Sequence, residues 1–447
     1  MKKSAFIFLI AHIMIMSCYS QFQQSLSFYA DKCDSLKIGT SLGGEFFVAS
    51  VYDTGRTYDR LVKENFNALV AGNDMKFDAI EPQQGVFNFT NADLLVAYAK
   101  KYKMIVRGHT LLWHEQLPAW IRAGLTNGVA NGTFTRQSLQ AILKNHITTV
   151  VSRYAGKVQQ WDVVNEAFDD GSTLLRNTIW KQVIGDDYID SAFVWARRAD
   201  PKAKLYLNDY SVEFKYSSKA DKMYNYVVGM QERKIPIDGV GMQCHFVCNT
   251  INFSNFDANF KRYNALGLEC IVTELDVRIN KASYTSSPEY WLARQAEDYR
   301  KTLRTCLDNP NAKTIMMWGF TDKYSWIPSW SNYTYDYALP FDYNYAAKPA
   351  YNSMITELVS ESGYTSVNEV NDNNSVNAYF KNRQLIIHSD ELIRQYSLYN
   401  TTGVLIASEQ INDNAVNSNI QNISKGIYVL VLSLESGLEI TRKVILY

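Results

Sequence analysis

Two glutamates, each closing a short apolar run, have the side chains for paired acid and nucleophile chemistry: Glu166 ends Trp161-Asp162-Val163-Val164-Asn165-Glu166, and Glu274 ends Cys270-Ile271-Val272-Thr273-Glu274. Two carboxylates held across a cleft suffice for glycoside hydrolysis, one donating a proton to the leaving oxygen and the other acting as nucleophile or base. A nucleophile must be ionised, whereas a general acid starts protonated; Glu166 is therefore expected to keep its proton to higher pH while Glu274 bears charge nearby. His245 and Asp276 are candidates to orient Glu274 and hold it as an anion. Asn165 is a candidate to hydrogen-bond the sugar hydroxyl beside the reacting carbon, a contact that strengthens in the transition state.

The elements that must position these residues recur through the first three quarters of the chain. Short apolar runs with polar ends read as strands: Ile38 to Thr40, Ala68 to Val70, Met104 to His109, Trp161 to Glu166, Leu205 to Asp209, Val240 to Gln243, Cys270 to Glu274 and Thr314 to Trp318. Helical patterning lies between them, for example over Leu139 to Tyr154, Tyr188 to Arg198, Ser218 to Glu232 and Ser287 to Cys306. Eight strands alternating with helices predict an α/β fold, a closed (β/α)8 TIM barrel. Active sites of such barrels form at the C-terminal strand ends, which would gather His109, Asn165, Glu166, Asn208, Asp209, Gln243, His245, Glu274, Asp276 and Trp318. The fourth and seventh strands face each other across the mouth, so Glu166 and Glu274 would flank a bound chain. Retention needs carboxyls about 5–5.5 Å apart and inversion about 6.5–9.5 Å. The sequence leaves that choice open.

Several other chemistries are excluded. In His114-Glu115-Gln116-Leu117-Pro118, a proline stands where a zinc protease needs its second histidine. The glycines of Gly39 to Gly44 have P-loop spacing, but Glu45 replaces the phosphate-binding lysine. The 45 basic and 45 acidic residues cancel, which removes any bulk electrostatic reason to bind nucleic acid or an anionic membrane and leaves neutral polymers as partners. Aromatic residues make up 13% of the chain, and flat rings pack well on the C–H faces of sugars as well as inside cores.

A chain of 447 residues predicts one large domain and a smaller one. Lys2-Lys3, the apolar stretch Ala5 to Met16 and Ser17-Cys18-Tyr19-Ser20 read as a signal peptide over residues 1–20, cleaved after Ser20. Ile15 to Cys18 also resembles a lipoprotein box that would put a lipid on Cys18, although Met16 fits it imperfectly. No later segment is apolar and long enough to span a bilayer. The remaining cysteines, Cys33, Cys244, Cys248, Cys270 and Cys306, are odd in number and scattered, so at most one or two bridges are expected rather than a disulfide framework. Cys244 and Cys248 lack a matching second pair, and no metal site is expected. Residues 359–376 read as a polar linker. Residues 377–447 read as a small all-β domain with short strands at Gln384 to Ile387, Tyr396 to Tyr399, Gly403 to Ile406 and Gly426 to Val431.

Taken in order, Asn73-Asp74-Met75-Lys76, Arg107 to Pro118, Trp161 to Glu166, Thr273-Glu274-Leu275-Asp276 and Trp318 to Trp326 resemble glycoside hydrolase family 10, the endo-β-1,4-xylanases, from about Leu36 to Leu358. The resemblance implies a barrel over residues 21–358 that hydrolyses xylan with retention, with Glu166 as acid/base, Glu274 as nucleophile and no cofactor. It implies sugar-binding or supporting roles for Asn73, Lys76, His109, Trp113, Gln116, Asn165, Gln243, His245, Trp318 and Trp326, with Asp276 in support. Gly72 departs from the family's usual glutamate, Phe77 from a common tryptophan and Glu115 from a common serine. The C-terminal segment is similar to type IX secretion sorting domains through Leu398 to Gly403 and Gly426 to Leu430. That likeness implies the type IX machinery as a partner and a secreted or cell-surface protein, expected to be a monomer. A barrel glycosidase acting on another β-1,4-glycan and a catalytically silent xylan-binding protein are the alternative readings.

Overall fold

The computed structural model describes residues 25–34, 36–43, 46, 56–362, 376–381, 383–400, 404–421, 423–437 and 439–446. The expected signal peptide, the Cys18 box and most of the expected linker lie outside these residues. The chain divides into two compact units between residues 364 and 365.

In the first unit eight strands form a parallel sheet: β1 (Lys37–Leu42), β2 (Ala68–Ala71), β3 (Ile105–Gly108), β4 (Gln160–Asn165), β5 (Lys204–Asp209), β6 (Gly239–Met242), β7 (Glu269–Asn280) and β8 (Thr314–Met317). Neighbours pair in chain order, and β8 pairs with both β7 and β1, so the sheet closes into a barrel. Helices α1 (Arg56–Asn65), α2 (Thr90–Lys101), α3 (Arg136–Arg153), α4 (Tyr188–Ala199), α5 (Ser218–Glu232), α6 (Phe253–Ala265), α7 (Pro288–Asp308) and α8 (Pro349–Ser362) alternate with them. The expected TIM barrel is the observed fold. Strands β2, β4, β6 and β8 are buried along their whole length because a closed parallel sheet has helices on one face and its own interior on the other. Local signals set the helix ends: Thr135 and Ser138 form a reciprocal capping box at α3, and the Ser217 hydroxyl caps α5.

The barrel interior is partly polar. Arg107 of β3 and Asp162 of β4 form a fully buried ion pair, and the guanidinium lies 4.8 Å from the Tyr206 ring centre. The five cysteines of the described residues are all free and buried, so the structure contains none of the bridges the sequence allowed. Helix α8 extends to Ser362, past the expected start of the linker at residue 359, because Glu357 and Glu361 bind Arg304 on α7 and hold the last turns against the barrel.

The second unit is an antiparallel sheet of β9 (Asn377–Lys381), β10 (Gln384–Asn400), β11 (Leu405–Asn419), β12 (Gly426–Leu434) and β13 (Glu439–Leu446). The separate strands expected at Gln384 to Ile387 and Tyr396 to Tyr399 are one long strand, interrupted only by register shifts after His388. Alternation of buried residues along β12 gives it one core face, including Tyr428, Leu430, Leu432 and Leu434.

Candidate active site

Strand register does most of the positioning. Asn165 pairs with Asn208 between β4 and β5, and the short strand His245–Val247 pairs with the end of β7 so that His245 stands opposite Asp276. Gly241 on β6 is required here: a Cβ at this position would sit on the Asn208 amide oxygen. The freed Asn208 amide donates to Asn165 Oδ1 at 2.8 Å and to Glu274 Oε1 at 3.0 Å. Gln243 Nε2 donates to Glu166 Oε1 at 3.0 Å and lies 3.3 Å from Asn165 Oδ1. A continuous amide bridge thus links the two carboxylates.

Each carboxylate is held differently. Glu166 is partly exposed; its Oε2 accepts from Trp113 Nε1 at 2.9 Å and its Oε1 also lies 3.3 Å from Asn165 Nδ2. Glu274 is buried, with His245 Nε2 3.5 Å from its Oε2. The other ring nitrogen of His245, Nδ1, donates to Asp276 Oδ2 at 2.8 Å, and that oxygen also accepts from Trp326 Nε1 at 3.0 Å. Burial works against charge on His245, but Asp276 and Glu274 outweigh it and keep the imidazolium protonated to about 10. Burial likewise pushes Glu274 up. The His245 hydrogen bond, the fields of His109 and His245, and the Asn208 amide overcome it and hold the carboxyl at about 2.

The residues form the wall of an open cleft of about 1080 Å³ at the C-terminal strand ends. Lys76 sits on one side, donating to Asn73 Oδ1 at 2.9 Å and to Gln116, with its ammonium 4.7 Å from the Trp113 ring centre. Burial lowers the Lys76 pKa, opposed by the fields of Glu274 and Glu166. His109 is fixed through Nδ1 to Asp162, 3.0 Å away, and meets the Trp318 ring edge to face at 5.3 Å.

Comparison with known proteins agrees with this geometry. Residues 31–357 match the Glycosyl hydrolase family 10 description, and residues 381–447 match the Secretion system C-terminal sorting domain. The chain belongs to glycosyl hydrolase family 10. It is 40% identical to endo-1,4-beta-xylanase B of Thermotoga neapolitana over 78% of this chain and 96% of that protein. Native xylanase 10B of Thermotoga maritima superposes with a TM-score of 0.71 at 41% identity, over 76% of this chain and 99% of that one. The Thermotoga petrophila xylanase 10B, solved in complex with xylobiose, superposes with the same score at 40% identity, over 76% and 98%.

In this family 10 cleft, Asn73, Lys76, His109, Trp113, Asn165, Glu166, Gln243, His245, Glu274, Trp318 and Trp326 all line the wall. Gln116 and Asp276 stand behind it, each holding a lining residue. Asp209, expected at the mouth, is instead buried beneath it and paired with Lys219 at 2.8 Å; burial pushes its carboxyl up to about 7 against that lysine. The sequence reading missed this supporting layer. Lys219 also binds Asp170 and lies 3.3 Å from the Tyr210 ring centre, while Arg176 donates to the Glu166 carbonyl at 3.2 Å and to Tyr210. Arg107 and Asp162 had a readable signal, since charges inside apolar strands need partners. Of the family departures, Gly72 and Glu115 line the cleft, whereas Phe77 is buried and stacks on His146 at 3.6 Å.

Proposed function

We propose that the barrel is an endo-1,4-β-xylanase that cleaves internal bonds of xylan by double displacement. Glu274 attacks the anomeric carbon as Glu166 protonates the departing oxygen, giving a glycosyl ester. Glu166, now ionised, takes a proton from water, and the resulting attack on the same carbon releases Glu274. The carrying observation is the unequal treatment of the two carboxylates: Glu274 is buried, gripped through both oxygens and held at about 2 beside an imidazolium, while Glu166 is partly exposed to the cleft. Similarity to the Thermotoga xylanases over nearly their whole length, one of them solved with xylobiose, supports xylan as the substrate.

In this reading Asn165 binds the hydroxyl beside the reacting carbon, Asn73, Lys76, His109 and Gln243 grip neighbouring sugars, and Gln116 holds Lys76 from behind. Trp318 and Trp326 supply the apolar floor and wall, and Asp276 keeps His245 charged. No cofactor takes part. The protein acts as a monomer, is exported through a type IX secretion machinery that reads the C-terminal domain, and works outside the cell or at its surface. Among the described residues no helix is long and apolar enough to cross a membrane.

The test is to incubate the full chain with arabinoxylan and with soluble cellulose, following reducing ends, product sizes and, by NMR, the anomer formed first. Short β-configured xylo-oligosaccharides from xylan alone, abolished by Glu274→Ala, are expected. Faster cleavage of cellulose would reassign the substrate, an α product would replace retention with inversion, and saturable binding without product would make this a binding protein.

A further inference from the structure

Arg278 shares a face of β7 with Glu274 and Asp276, because alternate residues of a strand point the same way, and it lines the same cleft. Its guanidinium is set in place: Nη1 donates to the His245 carbonyl at 2.9 Å, and Cζ lies 5.1 Å from the Trp330 ring centre and 5.4 Å from that of Tyr335. Its hydrogen-bonding capacity is mostly unused. Nε is buried without a partner, and among the described residues Nη2 makes no hydrogen bond and no carboxylate lies within ion-pair distance. Lys76, the other lysine or arginine in the cleft wall, is by contrast already bonded to Asn73 and Gln116.

The aromatic surface leads outward to this arginine. Trp326 meets His245 at 5.0 Å and Trp330 at 5.1 Å, and Trp330 is 56% exposed. A sugar ring resting on Trp330 would therefore carry its substituents past a fixed, unpaired guanidinium. Such a planar fork matches the two oxygens of a carboxylate far better than a neutral hydroxyl. The wall's other cations, Lys76 and the His245 imidazolium, are already engaged by protein groups, while Glu115 and the Glu274 anion also face the cleft, so Arg278 is the cation left to attract an acidic polymer.

We propose that Arg278, clamped by Trp330 and Tyr335, binds the carboxylate of a uronic acid substituent and makes the cleft selective for uronate-bearing xylan. This rests on the xylanase reading, and hydrolysis of unsubstituted xylohexaose by the unaltered protein tests that reading separately. The substrates for the proposal itself are uronate-bearing xylo-oligosaccharides and the same material with its carboxyls reduced to alcohols. The unaltered protein should show kcat/KM about tenfold higher on the acidic material, a preference that high salt diminishes. Arg278→Met should abolish the preference while changing kcat/KM on xylohexaose by no more than about twofold. Equal rates on native and reduced material by the unaltered protein would overturn the proposal without reference to any variant. A uniform fall on all three substrates in Arg278→Met would overturn it too, assigning Arg278 to support of His245 instead.

Discussion

Replacing Asp276 with asparagine removes the charge behind His245 while leaving an amide oxygen to accept from His245 Nδ1 and Trp326 Nε1, which now meet the same carboxylate oxygen. In the intact site Glu274 is held at about 2 rather than its ordinary 4.5. At 1.36 kcal/mol per pH unit, that difference is about 3 kcal/mol in favour of the anion. The largest favourable contribution comes from His245, which stays charged because Asp276 and Glu274 raise it from 6.5 to about 10. Without the Asp276 charge, His245 should fall back toward 6.5, so it stays protonated where Glu274 titrates but loses its proton, and its donation to Glu274 Oε2, at neutral to alkaline pH. The assay is kcat/KM against pH on an aryl β-xylobioside whose phenolate leaves without a proton, so that Glu166 drops out of the first step. The alkaline limb should move down from about 10 toward 6.5, with the acid limb and the rate between them largely kept. A uniform fall with an unmoved alkaline limb would refute the reasoning and show that Asp276 positions His245 without setting its charge.

Stability should carry the same signature. The raised His245 stabilises the fold fully below 6.5 and loses that effect as pH rises through about 10, whereas the depressed Glu274 stabilises it above 4.5 and loses that effect as pH falls through about 2. His245→Ala should therefore lower Tm most between these ordinary values, at pH 4.5 to 6.5, and least at the two extremes. Trp113→Phe removes the indole N–H from Glu166 but keeps an aromatic face for Lys76, and kcat/KM on xylan should fall about tenfold or more. Lys219→Met strands the buried Asp209, and urea unfolding should show a loss of about 3–5 kcal/mol. Glu166→Ala should abolish xylan cleavage yet release a burst of phenolate from the aryl substrate, since only the second step then lacks its base.

The barrel was legible because most of its strands contain a short apolar run with a polar residue at or just past its end, and four of the helical stretches read from sequence correspond to α3, α4, α5 and α7. The catalytic pair was legible for the same reason, since a glutamate terminating such a run has a defined place at the mouth. The supporting layer was not. Arg176, Lys219 and Tyr210 meet only because β4, β5 and the segments after them converge, and nothing in their local spacing announces the contact. Asp209 looked like a mouth residue because it ends β5, but its side chain accepts from the Phe168 N–H and pairs with Lys219 beneath the cleft. In the second unit the two strand segments of β10 were read separately because polar Ser389 and Asp390 interrupt the apolar pattern, whereas β11 pairs across the interruption and keeps the strand continuous.

Backbone conformation explains how the strand ends become a site. Glu166 has φ +54° and Cys244, between Gln243 and His245, has φ +61°, both in the left-handed region where a non-glycine residue costs about 1–2 kcal/mol. The turn at Glu166 is held by its N–H donating to the Asn208 carbonyl at 2.8 Å and by Arg176 donating to its own carbonyl. The turn at Cys244 is held by its N–H donating to the buried Glu213 carboxyl at 3.0 Å. In both cases the strand stops pairing and reverses its backbone sense at the residue beside a cleft-lining side chain. The cost falls on the backbone, and the return is that Glu166, Gln243 and His245 project into one space although regular strands would alternate them between faces. Arg176 and Glu213 are therefore part of the catalytic geometry even though neither carboxylate of the pair bonds to their side chains.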